Sequence, residues 1–278
     1  MIALTSAKGS PGVTTLCIAM ACASGRVLVE MDPAGGDLAL RAAVPQSPGL
    51  SELAVRARRD RGAGIPLGGF TQRLRSGATV VPAPVGAAGV SALLSNGALL
   101  PSLAEALRAS STQVLIDAGR FGPHVAALDA DRVLLVVVAR RDAASLGQAQ
   151  ALLRDLGSFH GRSSRPRIGL ALVGRGEFGA SEVVRELDVP LLGGVPWHSR
   201  HAERLTGSAA VQSPRGNRLV HAAAAIVTAA DAYAGIRERA AAAKNPLVAW
   251  LSRTQHPQPD RSEAELRQAQ LPRTEVSA

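Results

Sequence analysis

MIALTSAKGSPGVTTLCIAM, residues 1–20, opens the chain and decides how the rest is read. Met1 to Leu4 is an apolar run, Ser6 to Gly12 is a turn of glycine and small residues, and from Val13 onward the pattern is helical. A strand therefore feeds a tight loop that opens a helix. In that arrangement the loop's backbone N–H groups converge at the positive end of the helix, a ready seat for phosphate oxygens.

The general phosphate-loop pattern is Gly, four residues, then Gly-Lys-Ser/Thr. The window Ala7-Lys8-Gly9-Ser10-Pro11-Gly12-Val13-Thr14-Thr15 keeps the shape and loses the central charge, because Val13 stands where the lysine belongs. Val13 can neither hydrogen-bond nor neutralise a phosphate. A lysine survives at the start of the loop instead, and Lys8 and Lys244 are the only lysines in a chain whose positive charge is otherwise arginine. Lys8, Gly9, Gly12 and the Thr14-Thr15 pair resemble the deviant P-loop of the ParA/MinD family, written K-G-G-x-G-K-T-T.

That resemblance implies an α/β fold of three layers, a mostly parallel twisted sheet flanked by helices. It also implies ATP with Mg²⁺ as cofactor, bound by Lys8, Gly9, Ser10, Pro11, Gly12, Val13, Thr14 and Thr15. Thr14 takes the Mg²⁺ role and Thr15 a phosphate role. Lys8 takes the place of the signature lysine, which reaches the partner's phosphates in a nucleotide-sandwiched homodimer and so counts as catalytic.

Two further acidic positions follow in family order. Arg26 to Met31 is a short β-rich run, and Glu30-Met31-Asp32-Pro33 resembles the family's D-x-D-P with Glu in the first place. By the resemblance Asp32 is the catalytic switch carboxylate that orients the attacking water and lies near the metal; the alternative is that Asp32 and Asp37 merely cap the next helix. Gln113 to Gly119 is an apolar strand ending in Asp117, the expected Walker B carboxylate on Mg²⁺. Gly119 follows Asp117 sooner than in the family's D-x-x-x-G.

The remaining elements alternate strand and helix, as an α/β domain requires. Helix is expected over residues 50–61, a short helix between Gly69 and Arg75, and a strand from Thr79 to Pro84. Helical segments are expected over 90–94 and 99–108, then a strand over 131–138 whose C-terminal end carries Arg140 and Arg141. Either arginine is placed to replace the missing loop charge or simply to be solvated. A strand over 167–173 ends in Gly174-Arg175-Gly176 where many relatives carry an adenine-reading Asn, and Leu191 to Pro196 resembles the family's last strand. Residues 218–241 read as a long Ala-rich helix. The domain is set at 1–243, and residues 244–278 as a largely disordered tail with a short apolar patch at 247–251.

Of the 278 residues, 46% are hydrophobic but only 3% aromatic, so the core must be built from Ala, Val and Leu. Cys17 and Cys22 fit neither a redox C-x-x-C nor a zinc spacing. No apolar run reaches the length of a membrane span and no basic-then-apolar leader opens the chain, so the expectation is a cytoplasmic protein. The net charge of +9 fits a DNA partner or an anionic membrane, reached in the second case through the C-terminal patch; it fits equally an arginine-rich composition with solvated faces.

Together these features point to a nucleotide-dependent positioning or assembly factor that dimerises through its loop, with weak or absent hydrolysis, and recruits a protein partner. The alternative is a pseudo-ATPase scaffold for a secretion, pilus or conjugation machine. A metabolic synthetase on the same fold fits less well, because such enzymes also rely on the loop lysine.

Overall fold

β1 (Ile2–Ser6) is buried along its whole length, and its side chains alternate between two separate cores. Ile2 and Leu4 point to one, Ala3 to the other. This is the period of two that a strand covered on both faces must show, and it fixes three layers. The computed structural model describes residues 1–9, 11–61, 63–128, 133–159, 167–207 and 216–244. Ser10 of the loop and the C-terminal patch at 247–251 lie outside the described residues.

From β1 the chain continues through α1 (Val13–Ser24), β2 (Val27–Glu30), α2 (Leu38–Ala42), α3 (Leu50–Arg59), β3 (Gln72–Arg73) and β4 (Thr79–Val81). Next come α4 (Ala87–Leu94), α5 (Leu99–Ala109), β5 (Val114–Arg120), α6 (Pro123–Ala126) and β6 (Leu134–Arg140). The domain closes with α7 (Ala143–Phe159), β7 (Arg167–Val173), α8 (Ala180–Leu187), β8 (Leu191–Val195), α9 (Ser199–Thr206) and α10 (Arg218–Lys244). Met1–Ala234 form one compact unit; of the second, Gly235–Ala278, the described part is the last stretch of α10.

The described strands make one eight-stranded sheet in the order β3-β4-β2-β5-β1-β6-β7-β8. All neighbours are parallel except β3 with β4. The chain works outward on one side of β1 and then on the other, so the ends of β1 and its neighbours form a topological switch point, the place where open α/β sheets bind ligands.

On one face Leu50, Leu53, Val90, Leu103 and Leu152 pack against Val29, Ile116 and Val137. On the other Leu16, Ile18, Leu205 and Ile226 pack against Leu4, Leu115 and Val136. Leu, Val and Ala supply nearly all of this packing, each fully buried Leu or Val contributing about 1.5–3 kcal/mol. α1 stops at Gly25, whose φ of 71° lets its N–H cap the carbonyl of Ala21 at 2.9 Å.

One expected element is different. The stretch between Gly69 and Arg75 is not a helix: a 3-10 turn at Leu67–Phe70 leads into β3, which pairs antiparallel with β4 through Gln72↔Val80 and Arg73↔Thr79. Gly68 and Gly69 weaken any helix start, and Gly77, at φ 89°, supplies the left-handed turn of a hairpin closed by Leu74 and Ala78 at 2.9 Å. The arginine cluster of α3 (Arg56, Arg58 and Arg59) faces solvent, opposite the buried Leu50, Leu53, Ala54 and Ala57. No single described helix is long and apolar enough to cross a membrane.

Candidate functional site

Sheet register brings the site together. β2 and β5 align Glu30 with Asp117, and β1 and β5 align Leu4 with Asp117 and Ser6 with Arg120. Three chain segments therefore leave the sheet side by side: the loop after Ser6, the turn after Glu30 and the turn after Asp117. They wall a cleft of about 630 Å³ lined by Gly9, Gly12, Thr14, Asp32, Asp37 and Arg120, among others.

The loop enters α1 through Gly12, whose φ of 93° is left-handed and whose carbonyl accepts the N–H of Leu16 at 2.9 Å. Thr14 and Thr15, in the first turn of α1, line the cleft with the free end of the helix. Val13 also borders the cleft, but its side chain is 6% exposed and belongs to the apolar cluster beneath α1. The missing lysine has thus become core. Lys8 is exposed, and Pro11 is buried.

Asp117 is fully buried, two residues before Gly119, which lines the cleft. Its Oδ1 accepts the N–H of Gly119 at 3.0 Å, the Thr14 hydroxyl lies close enough to favour its charged form, and Oδ2 has no partner among the described residues. Burial pushes its pKa up to about 6; the charges of Asp32 and Asp37 push the same way, and the bonds from Thr14 and Gly119 oppose them. An orphaned carboxylate oxygen beside a threonine hydroxyl, with a second carboxylate nearby, is the donor chemistry of a hard cation such as Mg²⁺. The residues present fit that ion.

Asp32 comes close because Gly119 leaves room for it. A Cβ on Gly119 would lie 2.1–2.4 Å from the Asp32 carboxylate, and the φ of Gly119 is +57°. The Gly119 turn is fixed from both sides: the Thr5 hydroxyl donates to its carbonyl at 3.2 Å, and the buried His124 ring Nε2 bonds the carbonyl of Ala118 at 2.9 Å. His124 is held neutral by burial, so Nε2 carries the proton it donates.

Glu30 has a role that the acidic motif did not reveal. Buried at the end of β2, it accepts the N–H groups of Asp37, Leu38 and Ala83 at 2.9, 3.1 and 2.9 Å. It ties the Asp32–Asp37 turn and the start of α2 to the end of β4, and burial, aided by the charge of Asp117, pushes its pKa up to about 7. It is Glu30, not Asp32 or Asp37, that caps α2. Asp32 instead accepts the N–H of Ala34 at 2.9 Å, and Asp37 pairs with Arg41 at 2.6 Å.

Arg140 and Arg141 do not reach the cleft. The Arg140 guanidinium stacks 4.2 Å from the centroid of the Trp197 ring, and Arg141 donates to the carbonyl of Gly174 at 3.2 Å. With Gly174, Arg175 and Trp197, Arg141 lines a separate depression at the ends of β7 and β8. Between it and the loop lies a small apolar slot of about 100 Å³ that includes Pro11, Gly12, Thr15, Val195 and Trp197. Neither Arg120 nor the slot is expected from the sequence motifs. The available signal for Arg120 was an arginine three residues past the strand-end Asp117, in a chain whose loop lacks its cation.

No family model matches the chain, and no curated protein matches it in sequence. Solved structures match in fold. A ParA family ATPase from Chlorobium tepidum is 16% identical with a TM-score of 0.64, covering 82% of this chain and 97% of that one. The septum site-determining protein MinD complexed with Mg-ADP, from Pyrococcus horikoshii, is 21% identical with a TM-score of 0.61, covering 85% and 97%. An ATP complex of McdA from Cyanothece is 14% identical with a TM-score of 0.58, covering 83% and 95%. The fold of this chain is that of the ParA/MinD ATPases.

Proposed function

We propose that this chain is a ParA/MinD-like positioning or assembly factor whose cleft takes ATP with Mg²⁺ and whose nucleotide state governs dimerisation. The observation that carries the reading is Asp117 Oδ2, a buried carboxylate oxygen with no partner among the described residues, on a carboxylate close to Thr14 in the helix turn that lines the cleft. Leaving such a group unsatisfied costs about 1–3 kcal/mol, a cost that a bound cation removes. Mg²⁺, held through Asp117 and Thr14, would neutralise phosphate charge. The loop amides and Thr15 would bind the phosphates, and Asp32 would orient water at the far side. The structures of similar fold that hold Mg-ADP and ATP support this assignment.

Phosphates seated on the loop would direct the base toward the apolar slot beside Trp197. No Asn is among the described residues that line it, so stacking on the ring would carry base recognition.

Exposed Lys8 would complete the partner's site in a homodimer. The burial of Val13 favours slow or absent hydrolysis, and with it the second reading, a pseudo-ATPase scaffold that keeps the dimer surface for a larger machine. We place the protein in the cytoplasm, with recruitment to DNA or to a membrane surface as the outputs its charge suits.

Titration with ATP and Mg²⁺, followed by calorimetry and by tryptophan fluorescence in a Trp250→Phe background, tests the reading. Saturable, Mg²⁺-dependent binding with a change in Trp197 emission is expected. Absence of binding to the dimeric as well as the monomeric protein would leave the scaffold reading standing alone.

A further inference from the structure

A triphosphate bound at this cleft needs a cation from the protein, and the loop's own position 13 supplies none. We infer that Arg120 is that cation: it stands in for the lysine that Val13 replaced, delivering its guanidinium to the phosphates from the end of β5 within the same chain. The inference rests on the nucleotide reading above.

Five observations support it. Arg120 ends β5 in register with Ser6, the last residue of β1, and the next N–H, that of Phe121, donates to the Ser6 carbonyl at 2.9 Å. The backbone is therefore pinned beside the root of the loop. The side chain then lies over the loop itself, since a Cβ built on Gly9 would fall 2.9 Å from Arg120 Nη2. Gly9 is bare where the guanidinium passes. Arg120 lines the cleft together with Gly12, Thr14 and Thr15, and among the described residues it takes part in no ion pair.

The other candidate cations are otherwise committed or badly placed. Arg41 shares the cleft but is paired to Asp37 at 2.6 Å. Arg140 lies on Trp197, and Arg141 is bonded to Gly174. Lys8 is exposed and is not part of the cleft wall. A guanidinium also suits the task, because its planar fork bonds two oxygens of a phosphate at once and is always charged.

The test measures affinity of the full chain for Mg²⁺-ATP and, separately, for inorganic pyrophosphate, in wild type, Arg120→Ala and Arg120→Lys. Loss of one charge-assisted phosphate contact predicts that R120A binds both probes roughly ten- to a hundredfold more weakly. R120K should recover part of the loss as a point charge without the fork. The thermal midpoint of the unliganded chain should stay in place in both variants, as expected for an exposed side chain. R120A binding both probes as tightly as wild type would overturn the inference while leaving the nucleotide reading intact. So would a loss confined to ATP with pyrophosphate unaffected, since that would assign Arg120 to the nucleoside. Wild type binding neither probe would overturn the nucleotide reading, and this inference with it.

Discussion

Gly119 and Asp117 show how tightly single residues set this cleft. Any side chain at Gly119 enters the space of the Asp32 carboxylate, at 2.1–2.4 Å, from a backbone at φ +57° that L residues rarely adopt. Gly119→Ala should therefore displace Asp32 or the turn, costing about 1–3 kcal/mol of stability and most of the Mg²⁺-dependent part of nucleotide affinity. Urea unfolding and a Mg²⁺ titration at fixed ATP check the two effects. Asp117 makes the opposite trade. Its folded pKa near 6 lies above the ordinary 3.8, so the folded chain holds the extra proton between those values. Stability is then greatest below about pH 4 as far as this group is concerned, and it is lost as pH rises through 6; about two pH units at 1.36 kcal/mol each make about 3 kcal/mol. Asp117→Asn removes that loss. Without Mg²⁺ it should be about 2–3 kcal/mol more stable than wild type at pH 8 and nearly equal at pH 4. A slope from Glu30 should remain in both proteins up to about pH 7. Stabilisation by Mg²⁺-ATP should vanish in the same variant.

Among elements, α10 is tied to the sheet by a polar contact that its Ala-rich sequence does not announce. Arg26, only 6% exposed just ahead of β2, donates from Nη2 to both carboxylate oxygens of Asp231 of α10 at 2.6 and 2.8 Å and from Nε to Gln113 at 3.0 Å. Asp231→Ala leaves that guanidinium buried with half its partners. Because Asp231 itself is half exposed, the cost should be about 1–3 kcal/mol rather than the larger penalty of a fully buried pair, read as a lowered urea midpoint with an unchanged slope. Arg26 looked in sequence like the edge of a strand, because nothing local pairs it with a residue 205 positions away. The elements that were legible were those with a strong period of their own: β1, β5, β6 and β7 as apolar runs, α1 from its loop, α10 from its length. β3 was not, since a two-residue edge strand has no period and takes its geometry from Val80 across the hairpin. In the site, Asp32, Asp117 and Thr14 were readable because the loop and the strand ends carry them in order. Glu30 as a tether, His124 as a brace and Arg120 over Gly9 were not, because each acts on a segment that only sheet register brings near.

For the molecule as a whole, the cleft opens at the C-terminal edge of the sheet with Lys8 exposed and absent from the cleft wall. A lysine that does not line its own site, in a chain with only one other, would acquire a task in the proposed dimer, where a second copy faces the first. In the proposed dimer the two charges near the loop would divide the work, with Arg120 on the phosphates of its own chain and Lys8 on those across the interface. Lys8→Ala should leave the first contact of a monomer with nucleotide little changed and weaken ATP-dependent dimerisation by roughly ten- to a hundredfold, the worth of one charge-assisted phosphate bond. Because both chains carry a large positive charge, face-to-face association without nucleotide works against mutual repulsion, and bound triphosphate relieves it. Light scattering across a concentration series, with and without ATP and Mg²⁺, should show wild type passing from monomer to dimer only with nucleotide, and Lys8→Ala lagging by that factor. Dimerisation that ignores both nucleotide and Lys8 would remove the cross-dimer role and turn the same face into a permanent scaffold surface.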